Sequence, residues 1–278
     1  MVTMIDHAPL EHDEPRLRPE LATSMGLPGR MALGLGAVTV GATVGLAAAP
    51  SASSALTGAV IASGVLTALA ANWSTCGMSV AGVVVAPKQP GRKGSSTPLR
   101  RLGWHALGSV ATGSVTGAAI GALGGLALGW LSAPVALGIW AVLALAYGLH
   151  EQGVLPMPTP MRRRQLPRHL RRRMEPWKVS LVFGAIIGPG FLIFIRSSAY
   201  YLLALGVAAV GSPALGAALF VTVSLGRCMP SALAILHVRR GGTIPGFLTT
   251  MCLVDRRVQA ITGAALLGLG VFGCAALI

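Results

Sequence analysis

Two of the four cysteines stand in matching surroundings. Cys76 follows the polar patch Asn72, Trp73, Ser74 and Thr75 and precedes Gly77, Met78 and Ser79 ("NWSTCGMS"). Cys228 follows Ser224 to Arg227 and precedes Met229, Pro230 and Ser231 ("CMPSALAI"). Each patch interrupts a long apolar run. A thiolate attacks a disulfide sulfur through a mixed disulfide, so two facing cysteines can accept an electron pair as a dithiol and pass it on. A thiol in apolar surroundings is inert, and something must stabilise its thiolate. Arg227 supplies a charge beside Cys228, and a helix restarting at Pro230 would aim free amide N–H groups at that sulfur. Asn72, Ser74 and Thr75 offer polar contacts near Cys76. Cys252 and Cys274 have no polar patch and read as small apolar residues.

The elements that must position this pair are membrane helices. Hydrophobic residues make up 53% of the 278-residue chain and charged residues 11%, with a mean hydropathy of +0.70. The apolar strings are far longer than barrel strands, so the expected class is an all-α polytopic bundle. The formal charge of +14 does not indicate nucleic acid, because its carriers cluster between apolar runs. Lys88, Arg92, Lys93, Arg100 and Arg101 form one cluster. Arg162 to Arg164, Arg168, Arg171 to Arg173 and Lys178 form the other. The positive-inside pattern makes both loops cytoplasmic, where they can also meet anionic lipid headgroups.

The expected organisation is a flexible cytoplasmic tail over residues 1–29 and a membrane domain over 30–278, with a basic, Pro-rich cytoplasmic loop at 151–177. Apolar runs over 31–49, 54–87, 104–131, 134–149, 179–195, 213–238 and 260–278 read as spans. The second is longer than one crossing needs and is expected to be tilted or broken near Cys76 and Gly77. The fifth is interrupted by Gly188-Pro189-Gly190. Residues 200–211 are short for a crossing, so the count is seven or eight. Glycines 113, 117, 121, 125 and 129 line one helix face and predict close helix packing, as do Ala37, Gly41 and Gly45 in the first span. Trp73, Trp104 and Trp177 are expected at the interface, and His105, His150 and His237 at span edges without ligand spacing. The Asp255-Arg256-Arg257 stretch reads as a loop.

Paired intramembrane cysteines, each at a Gly/Pro-interrupted helix in one of two weakly related halves, resemble the CcdA/DsbD superfamily of transmembrane electron carriers. Within it, the "NWSTCG" and "GPGF" segments are similar to the MauF-type family associated with methylamine utilisation. The resemblance implies that Cys76 and Cys228 carry reducing equivalents from a cytoplasmic thioredoxin-like donor to an extracytoplasmic thioredoxin-like acceptor. It further implies maturation of an exported redox protein, residence in the inner membrane, and no cofactor. The chain departs from the superfamily pattern, since no proline stands near Cys76 and only Pro230 follows Cys228. The competing class is a soft-metal permease, because Met78 and Met229 flank the cysteines and thiolate with thioether suits Cu(I). Proton-coupled transport is disfavoured, since no Asp or Glu falls deep in an apolar run.

Overall fold

The computed structural model describes residues 25–73, 80–82, 84–85, 97–158, 174–190 and 197–278. It contains helices α1 (Leu27–Ala48), α2 (Ala52–Ala70), α3 (Pro98–Leu128), α4 (Ala133–Glu151), α5 (Pro176–Ile187), α6 (Ser198–Val210), α7 (Pro213–Arg239) and α8 (Ile244–Ala275), plus a 3-10 turn, Ala71–Trp73. No strand occurs among the described residues. Six of the helices are long and apolar enough to cross a membrane, and α5 and α6 are shorter apolar pieces. The protein is a multi-pass helical membrane protein.

The helix starts follow from local chemistry. Thr97, Ser212 and Thr243 each accept a backbone N–H three residues on, and α3, α7 and α8 have a proline in their first two positions. A hydroxyl at the cap satisfies an otherwise orphaned amide, and proline there loses nothing. α1 ends where Ala49 turns left-handed, at φ 37°, and hands the chain to Pro50.

Small residues then set the packing. α3 and α7 run antiparallel with Gly117 against the Gly216 backbone, Gly113 against Phe220 and Ser224, and Gly121 against Ser212. In lipid no hydrophobic force separates protein from acyl chain, so backbones that approach closely supply the association. The glycine stripe therefore does what its spacing predicts as far as Gly125, which meets Gly211, but Gly129 touches only its own helix. Ala37, Gly41 and Gly45 of α1 meet Gly268, Phe272 and Ala275 of α8 in the same way.

α2 ends at the 3-10 turn, and Val80, Ala81, Val84 and Val85 pack in a different core; the break expected near Cys76 and Gly77 lies outside the described residues. α5 ends at the Gly188-Pro189 turn beside α3, and α6 resumes from Ser198 toward Gly125, so these two short helices form a single interrupted traverse.

Two apolar cores result. One gathers residues of α2, α4, α6 and α7 around Leu203 and Phe220; the other gathers Val80, Ala81, Val84, Val85, Phe183, Ile235 and Met251. Between and beside them lie buried polar residues, including Asn72, Ser109, Glu151, Ser198, Ser224 and Arg227.

Two expectations about helix ends require correction. α7 runs unbroken through Pro230, so no helix restarts there and no amide terminus faces Cys228. Proline only removes the bond to the Gly226 carbonyl, and packing of α2 and α3 on both sides keeps the helix continuous. α8 likewise continues through Asp255, Arg256 and Arg257, which were expected in a loop. The stretch 247–262 contains no glycine or proline, and the arginines sit on an exposed face, so the end of the apolar run is not the end of the helix.

Apart from Arg227, every described Lys and Arg lies toward one end of the bundle: Arg30, Arg100, Arg101, Lys178, Arg239, Arg240, Arg256 and Arg257. The opposite turns, at residues 49–51, 129–132 and 211–212, carry no charge. By the positive-inside rule the basic end is expected to face the cytoplasm. In a cysteine-free background, Ser132→Cys should react with a membrane-impermeant maleimide in intact cells, and Thr97→Cys only after permeabilisation. The reverse pattern would invert the topology.

Candidate functional site

The site builds from α7 outward. Arg227 stands in mid-helix and is buried. Its guanidinium donates to the Ile187 carbonyl and, at 3.3 Å, to the Gly188 carbonyl. Those are the last carbonyls of α5, so the cation sits at the negative end of a helix dipole. The guanidinium also lies 5.4 Å from the centre of the Tyr200 ring, a cation–π distance. Tyr200 in turn donates its hydroxyl to the Pro189 carbonyl and meets Phe220 edge-on at 5.7 Å. Gly190 adopts φ +81°, and a Cβ there would strike the Tyr200 ring. The "GPG" turn is thus shaped so that Arg227 and Tyr200 can close over it.

Cys228, the next residue, is half-buried, and its thiol donates to the Ser224 carbonyl at 3.5 Å. Ser224 reaches across to the Ser109 carbonyl of α3 at 3.0 Å. On the other side, Gly226 packs against the backbone of Ala68 on α2. Asn72, at the end of that helix, is buried and donates to the Ala68 carbonyl at 2.7 Å. The end of α2 therefore meets α7 one turn or less from Arg227 and Cys228. Ser74, Thr75, Cys76 and Gly77 lie outside the described residues.

Other expected positions fall elsewhere. Cys252 is exposed and Cys274 half-buried; both are on α8, about 33 Å apart at its rise per residue. Trp104 and Trp177 stack at 5.0 Å, with Lys178 5.4 Å from the Trp177 ring, an arrangement suited to an interface. Trp73 packs instead against the second core. His150 accepts the Met157 N–H at 3.0 Å and fastens the loop after α4. His105 is not at an edge: it is fully buried inside α3, against Phe183. No cluster of three His, Cys, Asp or Glu residues occurs among the described residues.

Sequence reasoning missed two groups here. Glu151, assigned to the loop, is buried at the end of α4 and accepts the Ser198 N–H at 2.7 Å, capping α6. A carboxylate at a helix N-terminus is the arrangement that a half-helix starting inside the bundle requires. The i, i+4 pairs His105/Ser109 and Arg227/Ser231 would have shown that two helices each carry a polar stripe.

Fold and site together define a polytopic helical membrane protein in which the ends of α2 and α5 converge on a buried arginine and its neighbouring cysteine. The chain belongs to the MauF family. It is 34% identical over 222 residues to methylamine utilization protein MauF of Methylobacillus flagellatus, an alignment covering 76% of each chain. Identity is 31% over 219 residues to MauF of Paracoccus versutus, covering 78% of this chain and 74% of that one. It is 33% over 212 residues to MauF of Methylorubrum extorquens, covering 72% and 71%. No family model matches the chain, and no solved structure matches it.

Proposed function

We propose that this protein serves methylamine utilisation, as its relatives are named for doing, by carrying reducing equivalents across the inner membrane through thiol–disulfide exchange. Cys76 and Cys228 are the redox pair. A cytoplasmic thioredoxin-like dithiol reduces their disulfide, and the pair then reduces a disulfide in an extracytoplasmic thioredoxin-like acceptor. Two electrons and two protons pass at each exchange. The product is a mature exported redox protein of the methylamine dehydrogenase or cytochrome c type.

The supporting observation is the contact of Ala68 with Gly226, which brings the end of α2 to the turn of α7 that bears Cys228. Only Trp73, Ser74 and Thr75 lie between Asn72 and Cys76, and that tether is compatible with pairing, for which Cα atoms must come within about 7 Å. The half-burial of Cys228 also leaves its sulfur approachable from one side. Nothing favours the metal permease: Met229 is 39% exposed on the outer face of α7, away from Arg227.

The test is a thiol count. Mild oxidation of the purified protein should remove two alkylatable thiols, leaving Cys252 and Cys274 reactive. The variant Cys76→Ser should instead trap a thioredoxin-like protein on Cys228 as a mixed disulfide. The same oxidation shift in a Cys76→Ser/Cys228→Ser double variant would refute the pairing.

A further inference from the structure

His105 is fully buried, yet neither ring nitrogen has a hydrogen-bond partner among the described residues. The Ser180 backbone is nearby but outside hydrogen-bonding geometry. The hydroxyls of Ser109 and Ser231, on the same two helices as His105 and Cys228, are among the other buried groups in this condition. A neutral imidazole always carries one N–H and one lone pair in its ring plane, and leaving buried polar groups unmatched is costly.

The helix register relates them. α3 and α7 are antiparallel, with Gly117 against Gly216, Gly113 against Phe220 and Ser224, and Ser109 against Ser224. One more turn along each helix sets His105 at the level of Cys228, with Ser231 about one turn further along α7. Ser109 lies one turn from His105 on the same face of α3, at the level of Ser224, and Ser231 lies one turn from Arg227 on α7. The imidazole and the Ser231 hydroxyl, both unmatched, thus stand within about one turn of Cys228, and ordered buried water satisfies such groups.

We propose that His105 and Ser231 hold water that links the imidazole to Cys228, and that His105 is the proton acceptor for that thiol. This inference rests on the redox role assigned to Cys228. In the step, the Cys228 S–H proton passes through the water to the free ring nitrogen of His105, leaving thiolate and imidazolium. The thiolate pair forms a bond to one sulfur of the acceptor disulfide. That disulfide's S–S bond breaks, its electron pair leaves on the second sulfur, and the proton held by His105 neutralises it. Arg227 stabilises the thiolate without taking part in the transfer.

The other titratable groups around the pair do not offer this route. Arg101, a turn before His105 on α3, reaches the Val84 carbonyl at 3.4 Å. Arg227 is occupied with the end of α5, and Tyr200 with Pro189. From α5, Lys178 pairs with Glu175 at 3.3 Å. His237 of α7 stacks on Phe247, beyond Ser231. The described residues at 80–82 and 84–85 contribute no ionisable side chain.

The test uses the full chain in lipid nanodiscs with Cys76, Cys252 and Cys274 replaced by Ser, so that only Cys228 reacts. Its alkylation rate by iodoacetamide is followed from pH 5 to 10. Introducing His105→Asn should lower the rate at neutral pH about tenfold or more and shift the inflection upward, consistent with loss of a general base. Ser231→Ala should produce a smaller loss in the same direction. A pH–rate curve unchanged by His105→Asn would overturn the proposal; if that variant does not accumulate, an unchanged curve for Ser231→Ala overturns it equally. Because no partner protein or disulfide enters this measurement, its failure is separate from a failure of the electron-carrier reading, which the thiol count reports.

Discussion

Cys76→Ser and Cys228→Ser are each expected to abolish reduction of the extracytoplasmic thioredoxin-like acceptor. Both cysteines are required because the cycle alternates dithiol and disulfide, and a serine hydroxyl can neither form the bond nor leave from it. The loss should be on the order of a thousandfold or more, the scale seen when a covalent nucleophile is removed. The fold should survive. At Cys228 the substitution exchanges one small donor for another, and the hydroxyl can still bond the Ser224 carbonyl that the thiol meets at 3.5 Å. Met229→Leu is expected to leave activity largely intact, because that side chain faces outward. The measurement is acceptor thiol titre in membranes supplied with a thioredoxin-like reductant. Equal impairment of Met229→Leu and the cysteine variants, together with Cu(I) binding without thiol oxidation, would move the assignment to a metal permease.

The second large effect is expected at Arg227. Arg227→Leu removes a guanidinium that bonds the last two carbonyls of α5 and covers the Tyr200 ring. Two terms oppose each other. Burying a charge is costly, and an apolar replacement relieves that cost. Against it stands the loss of hydrogen bonds from a charged donor, each worth about 1.5–3 kcal/mol. The second term should prevail, because the Ile187 carbonyl keeps only the Gly190 N–H, at 2.9 Å, and the Gly188 carbonyl loses the guanidinium altogether. The expected destabilisation is roughly 3 kcal/mol, which lowers the unfolding temperature of the purified protein by about 5–10 °C. Arg227→Lys should recover part of it, since an ammonium is a point charge that cannot both fork between two carbonyls and lie flat on an aromatic ring. An unfolding temperature unchanged in Arg227→Leu would show that the arginine does not anchor the α5–α6 turn.

The sequence by itself determined the class and much of the geometry around the site. Composition made the chain a helical membrane protein, because only a helix satisfies its own backbone over such long uncharged runs. The four-residue glycine spacing predicted the α3 face on which α7 lies, and "GPG" marked the interruption between α5 and α6. These features are local, and periodicity or length carries them.

Tertiary structure alone decided the rest. Pro230 looks like a helix breaker in isolation, yet α7 continues through it because neighbours packed on both faces outweigh one missing hydrogen bond. The charges at 255–257 look like a loop, yet they ride on an exposed face of α8. His105 and Glu151 stand near the ends of apolar runs, and nothing in their own segments shows that other helices bury them. Arg227 belongs to the end of α5, 39 and 40 residues away in sequence, a partnership that becomes visible only when α3 holds both helices at one level. Burial and partnership depend on which faces meet across the bundle, and no single segment of chain encodes that.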